Sequence, residues 1–109
     1  MAEITVQQIS TSGLTESAGT AATAAGDTVL NNGRTFIEVV DGATTAPTVT
    51  IASQTNCNQG FTHDVVVAVP SGGAKIIGPF PVNRFNNTNG QIEVTYDDDT
   101  SVTIAAFSL

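Results

Sequence analysis

The chain is predicted to fold as an all-β protein, an antiparallel β-sandwich of jelly-roll-like form, with an immunoglobulin-like sandwich as the alternative. Three observations predict it. Short segments carry an apolar residue at every second position and are separated by clusters of Asn, Asp, Gly and Pro, the pattern of half-buried strands joined by turns. The polar residues are mainly Thr, Ser, Asn and Gln, with only 12% charged, and these suit strands and turns better than helices. With 109 residues and a single cysteine, the chain makes one domain that stands on core packing or on oligomer contacts and contains no internal disulfide. The expected division is an extended N-terminal arm over residues 1–26 and a sandwich over 27–109.

In chain order, Ile4 to Ile9 alternates and forms a first strand, with Ile4 and Val6 on one side. From Ser10 to Gly26 only Leu14 offers an anchor; Gly19, Gly26 and scattered threonines oppose a helix through the alanines, so this stretch is read as extended. Asp27–Leu30 is a short strand, and Asn31-Asn32-Gly33 a turn whose residues accept left-handed backbone. Arg34 to Val40 follows as a strand, with Thr35, Ile37 and Val39 on one face and Phe36, Glu38 and Val40 on the other. Pro47 to Ala52 alternates with Val49 and Ile51 inward. Ser53 to Thr62 is a polar loop carrying Cys57 and packed by Phe61.

Asp64 to Phe80 reads as two buried strands joined by a tight hairpin turn at Ser71-Gly72-Gly73. Val65 to Val69 is apolar on both faces and therefore expected at the centre of a sheet. Pro79 to Val82 is extended, since each proline lacks an amide donor and disfavours helix in the residue before it. Arg84 to Gly90 is a loop, Gln91 to Tyr96 a strand with Ile92, Val94 and Tyr96 inward, and Asp97 to Thr100 a turn. Ser101 to Phe107 closes the chain with Val102, Ile104 and Ala106 inward. The total is about seven or eight strands, at sandwich spacing.

Charge excludes some functions. The formal net charge is -7 and the only cations are Arg34, Lys75 and Arg84, too few to release counterions from a nucleic acid. A membrane partner is not expected, because no apolar run reaches transmembrane length and no basic leader precedes one. Catalysis has little to build on: His63 is the only histidine, beside Asp64, and a nucleophile-base pair with Cys57 would need convergence in a pocket. The triplet Asp97-Asp98-Asp99 could attract calcium but lacks spaced ligands, and reads as a solvated turn. No catalytic, cofactor-binding or metal-binding residues are assigned.

Three segments together, Gly33-Arg34-Thr35-Phe36, Val69 to Pro81, and Val94-Thr95-Tyr96 followed by Ser101 to Ala106, resemble small head decoration, or cement, proteins of tailed bacteriophages. The resemblance spans the region from Gly33 to Ala106; the arm and the loop from Asn56 to Gly60 lie outside it. It implies a non-enzymatic virion protein that binds the outer capsid surface, with the major capsid protein as partner and a homotrimer as the favoured oligomer. The N-terminal stretch from Ala2 to Ala25 is then expected to act as the clamp, adding a strand to its partner through Ile4, Val6 and Ile9, with Leu14 as a further contact. Phe107 and Leu109, and similarly Phe80 and Phe85, are read either as intersubunit contacts or as a further layer of core. Arg84 either pairs with a partner carboxylate or stays solvated. The alternative function is an adhesion or carbohydrate-binding module of a phage tail or cell surface, opposed by the lack of exposed aromatics.

Overall fold

A computed structural model describes residues 1–14, 19–55, 59–60 and 63–109; Cys57 and Phe61, and with them the reading of their loop, lie outside the described residues. In chain order the strands are β1 (Ala2–Ile4), β2 (Val6–Gln8), β3 (Thr20–Ala21), β4 (Asp27–Leu30), β5 (Thr35–Asp41), β6 (Thr48–Ile51), β7 (Val65–Ala68) and β8 (Ala74–Ile77). A single helical turn, α1 (Val82–Phe85), precedes β9 (Gln91–Tyr96) and β10 (Val102–Ser108). The expected all-β sandwich is the observed architecture. One sheet has the order β1-β4-β9-β6-β7; the other has β2-β10-β5-β8, with β3 also pairing β10. The shortest principal extent is 20 Å, as two sheets roughly 10 Å apart and their outer side chains require.

Alternation builds the core. In β5, Thr35, Ile37, Val39 and Asp41 point inward, and the intervening residues are half-buried on the outer face. Val29, Val49, Ile51, Ile92, Val94 and Ile104 complete the same layer with no exposed surface. Each such side chain contributes about 1.5–3 kcal/mol of burial, and their β-branched shape fits the pleat.

Nearly every connection crosses from one sheet to the other. Among the described strands, β6 and β7 are the only consecutive pair hydrogen-bonded to each other. The hairpin expected at Ser71 to Gly73 is therefore a corner: β7 pairs with β6, and β8 pairs with β5. Its turn is closed by the Gly73 amide donating to Pro70 O at 2.9 Å, a bond that local sequence fixes without fixing which strands meet. Nor is β7 central. It ends its sheet, and Val66 is 61% exposed, because the chain leaves for the other sheet after Ala68 and pairs on one side only. α1 overturns two expectations, the extended backbone at Val82 and the loop at Arg84 and Phe85, and the helix buries Phe85.

Described parts of the N-terminal stretch, Ala2–Ile4, Val6–Gln8 and Thr20–Ala21, are built into the two sheets. β1 runs parallel to β4, with Ile4 opposite Val29, and β2 runs parallel to β10. These parallel pairings make each sheet mixed at one margin. The Ala22 amide then donates to Val102 O at 2.9 Å, so the alanine-rich stretch is extended where it lies against β10.

Candidate interaction surface

The outer face of the β2-β10-β5-β8 sheet carries a group of apolar side chains. Strand registers set its pattern: Phe36 lies opposite Phe107, and Glu38 is flanked by Ala105 on one side and Ile76 on the other. The Phe36 and Phe107 rings stack with centroids 5.5 Å apart, a spacing within the favourable range for aromatic pairs. Ile76 is 67% exposed. After β2, the Ile9 amide donates to Ser108 O at 2.8 Å, and a turn closed by Gly13 N to Ser10 O brings the chain back. Ile9, Leu14, Phe36, Glu38, Ile76 and Phe107 then line a groove of about 260 Å³.

The structure brings part of the predicted contact set to this face and removes another part. Ile9, Leu14 and Phe107 line the groove. Ile4, Phe80 and Phe85 are core residues with at most 4% exposure, so they offer no contact surface; of the two readings of the phenylalanines, the core layer holds. Phe80 and Phe85 meet edge to face with centroids 5.7 Å apart. Val6 is half-buried beside the core, and β1 and β2, the strand expected to join a partner, pair instead with this chain's own β4 and β10. Arg84 stacks over the Phe85 ring at 4.7 Å and donates to His63 O at 2.5 Å. Leu109 is exposed near the opposite side of the β4–β5 turn, its amide donating to Arg34 O at 3.3 Å.

Two buried aspartates organise the ends of strands, and strand parity was the available signal for both. Asp41 lies in the inward series of β5. Its carboxylate accepts from Thr45 Oγ1 at 2.6 Å and from the amides of Ala43, Ala46 and Gly72 at 3.0–3.2 Å, tying the loop after β5 to the corner between β7 and β8. The Thr45 hydroxyl above all, helped by those amides and opposed by burial, holds the Asp41 pKa at about 2. Asp27 is inward in β4 and fully buried. Its Oδ2 accepts from Tyr96 Oη at 2.8 Å and from Thr23 N at 3.2 Å, while Oδ1 has no partner among the described residues. Burial, then the bond to Asp27 and its charge, raises the Tyr96 phenol far above its ordinary value.

The remaining candidates for chemistry stay separate. Asp64 accepts from Ser53 N at 2.8 Å, and His63 is exposed beside it. Asp97 accepts from Thr48 N at 2.7 Å and Asp98 from Thr100 N at 2.9 Å, so two of the three consecutive aspartates cap local backbone. Among the described residues no three His, Cys, Asp or Glu side chains gather as metal ligands. A larger hollow of about 360 Å³ lies between the sheets beside Leu30 and Asn32. Its polar groups are committed to one another: Asn32 donates to Ser108 Oγ at 3.1 Å, and Thr35 donates to Leu30 O at 3.3 Å. The outer-face groove, with exposed Ile76 and a Glu38 carboxylate that has no partner among the described residues, is the better candidate. Comparison with known proteins finds no matching family model, no matching curated protein and no matching solved structure.

Proposed function

We propose that this chain is a non-enzymatic structural protein of a tailed-phage virion that binds the outer surface of the capsid and stabilises it by bridging neighbouring subunits. The observation that carries the reading is the apolar outer face of the β10-β5-β8 sheet, where Ile76 is exposed, Phe36 is half-buried, and Ala105 and Phe107 lie buried beneath. The segments that resemble decoration proteins include the start of β5, all of β8 and most of β10, which are adjacent in this sheet, together with the end of β9 in the other sheet. A catalytic cleft would gather polar side chains; these segments instead supply Phe36, Ile76 and buried residues beneath them. Exposed apolar surface of this kind marks contact with another macromolecule. An acidic chain with three cations suits the exterior of a shell better than the lining that faces DNA. A cyclic trimer on a three-fold position would multiply weak contacts through avidity.

A ligand that binds the assembled lattice and not separated subunits stabilises the lattice by mass action, about 2.7 kcal/mol per site at a concentration one hundred times Kd. The test is cosedimentation of the purified chain with shells assembled without it. Saturable binding at a fixed ratio to the shell subunit, with a higher temperature for head rupture, is the expected result. A chain that stays in the supernatant at all concentrations refutes the proposal.

A further inference from the structure

We propose that the groove over β5 and β10 receives an apolar side chain carried beside a lysine or arginine of the shell protein, and that Glu38 pairs with that cation. The inference rests on the function proposed above, because it takes the shell subunit as the partner. Among the described residues, Glu38 is the only charged one lining the groove. It is half-buried, and among the described residues it has no hydrogen bond or ion pair. Its neighbours in register, Ala105 and Ile76, have no polar side-chain group to offer it, and the stacked Phe36 and Phe107 are equally apolar.

An apolar partner without a cation would cover Glu38 and strip its water with nothing in return, an expensive outcome for an ionised group. A cation beside the apolar anchor removes that cost and adds a charge-assisted bond in a site with little water. The same reasoning disfavours a second copy across a two-fold axis at this face, since it would bring two Glu38 carboxylates together between chains of formal charge -7. At about 260 Å³ the groove falls below the roughly 300–1,000 Å³ of small-molecule pockets, and suits a side chain. The chain's net charge further favours encounter with a basic patch.

The test compares the native chain with Glu38→Gln, Glu38→Lys and Ile76→Ser, all at solvent-accessible positions, in cosedimentation with shells lacking the protein. Glu38→Gln should weaken binding about tenfold and flatten its dependence on salt; Glu38→Lys and Ile76→Ser should weaken it at least as much. Thr50→Ser, on the outer face of the opposite sheet, should bind as the native chain does. Native-like binding by both Glu38 variants overturns the inference while leaving the shell-binding function standing. If the native chain itself does not bind shells, that function falls. The groove is then judged by amide chemical shifts on titration with acetyl-leucyl-lysine amide and acetyl-leucyl-glutamate amide. Shifts at Phe36, Glu38 and Ile76 with the lysine peptide alone support the groove chemistry, and equal or absent responses to the two peptides overturn it.

Discussion

Tyr96 is the only tyrosine, and the chain has no tryptophan, so phenolate absorbance reports one buried group and the carboxylate it touches. Its hydroxyl donates to Asp27 Oδ2 at 2.8 Å, and the other donor to that oxygen is the Thr23 amide at 3.2 Å. Replacing Tyr96 by Phe keeps the ring and deletes the donor. A hydrogen bond to a charged group contributes about 1.5–3 kcal/mol; a loss of about 2 kcal/mol lowers the melting midpoint by roughly 8 °C at this chain length. The pH dependence has a definite sign. The folded phenol has its pKa raised above the ordinary 10.0, so its contribution is fully present below pH 10. Above that the unfolded chain ionises first, and stability falls by about 1.4 kcal/mol per pH unit. Denaturant melts from pH 8 to 11, followed by circular dichroism, should show this decline in the native chain and lose the tyrosine's share of it in Tyr96→Phe. Phenolate absorbance rising near pH 10 while the dichroism stays native would refute the buried Tyr96–Asp27 pair, as would an unchanged melt for Tyr96→Phe.

Two further predictions concern corners of the sandwich. Asp41, with its pKa held at about 2 against an ordinary 3.8, contributes stability that is present above about pH 4 and lost as pH falls toward 2; acid melts of Asp41→Asn should show a weaker decline over that window and lower stability at neutral pH. Gly78 has φ +139°, and a β-carbon there would lie 2.7 Å from Phe36 Cβ and 2.8 Å from Phe36 Cα. Because part of that clash is with β5 backbone, Gly78→Ala should cost about 3 kcal/mol or more, the upper end of overpacking penalties, measured as a fall in the denaturation midpoint.

Strand existence and facing were legible because the period-two pattern is local. β5, β6 and β10 bury the residues that alternation assigns inward, β9 buries Ile92 and Val94 and half-buries Tyr96, and Gly33 and Gly90 take positive φ at the two Asn-Gly turns. Partner choice was not local. Val65 to Val69 looks the same whether it has one neighbour or two, and only the assembled sheet leaves Val66 outside. The corner at Pro70 to Gly73 has hairpin residues, yet its amides are held by Asp41 and Pro70 while its strands diverge. The apolar residues of the N-terminal segment are mostly small alanines, so its burial pattern carries little information; Ile4 and the backbone pairings with β4 and β10 place it. At the surface, the outward residues Phe36 and Glu38 could be assigned to one face of β5, but bringing Ile76 and Leu14 beside them needed the strand order and the turn at Ser10 to Gly13.

The most direct measurement is difference imaging of phage particles with and without this chain. The account predicts added density on the outside of the shell, spanning adjacent capsid subunits, with the β2-β10-β5-β8 sheet turned toward them. Density confined to the interior or tail, or no particle-associated density, would contradict it.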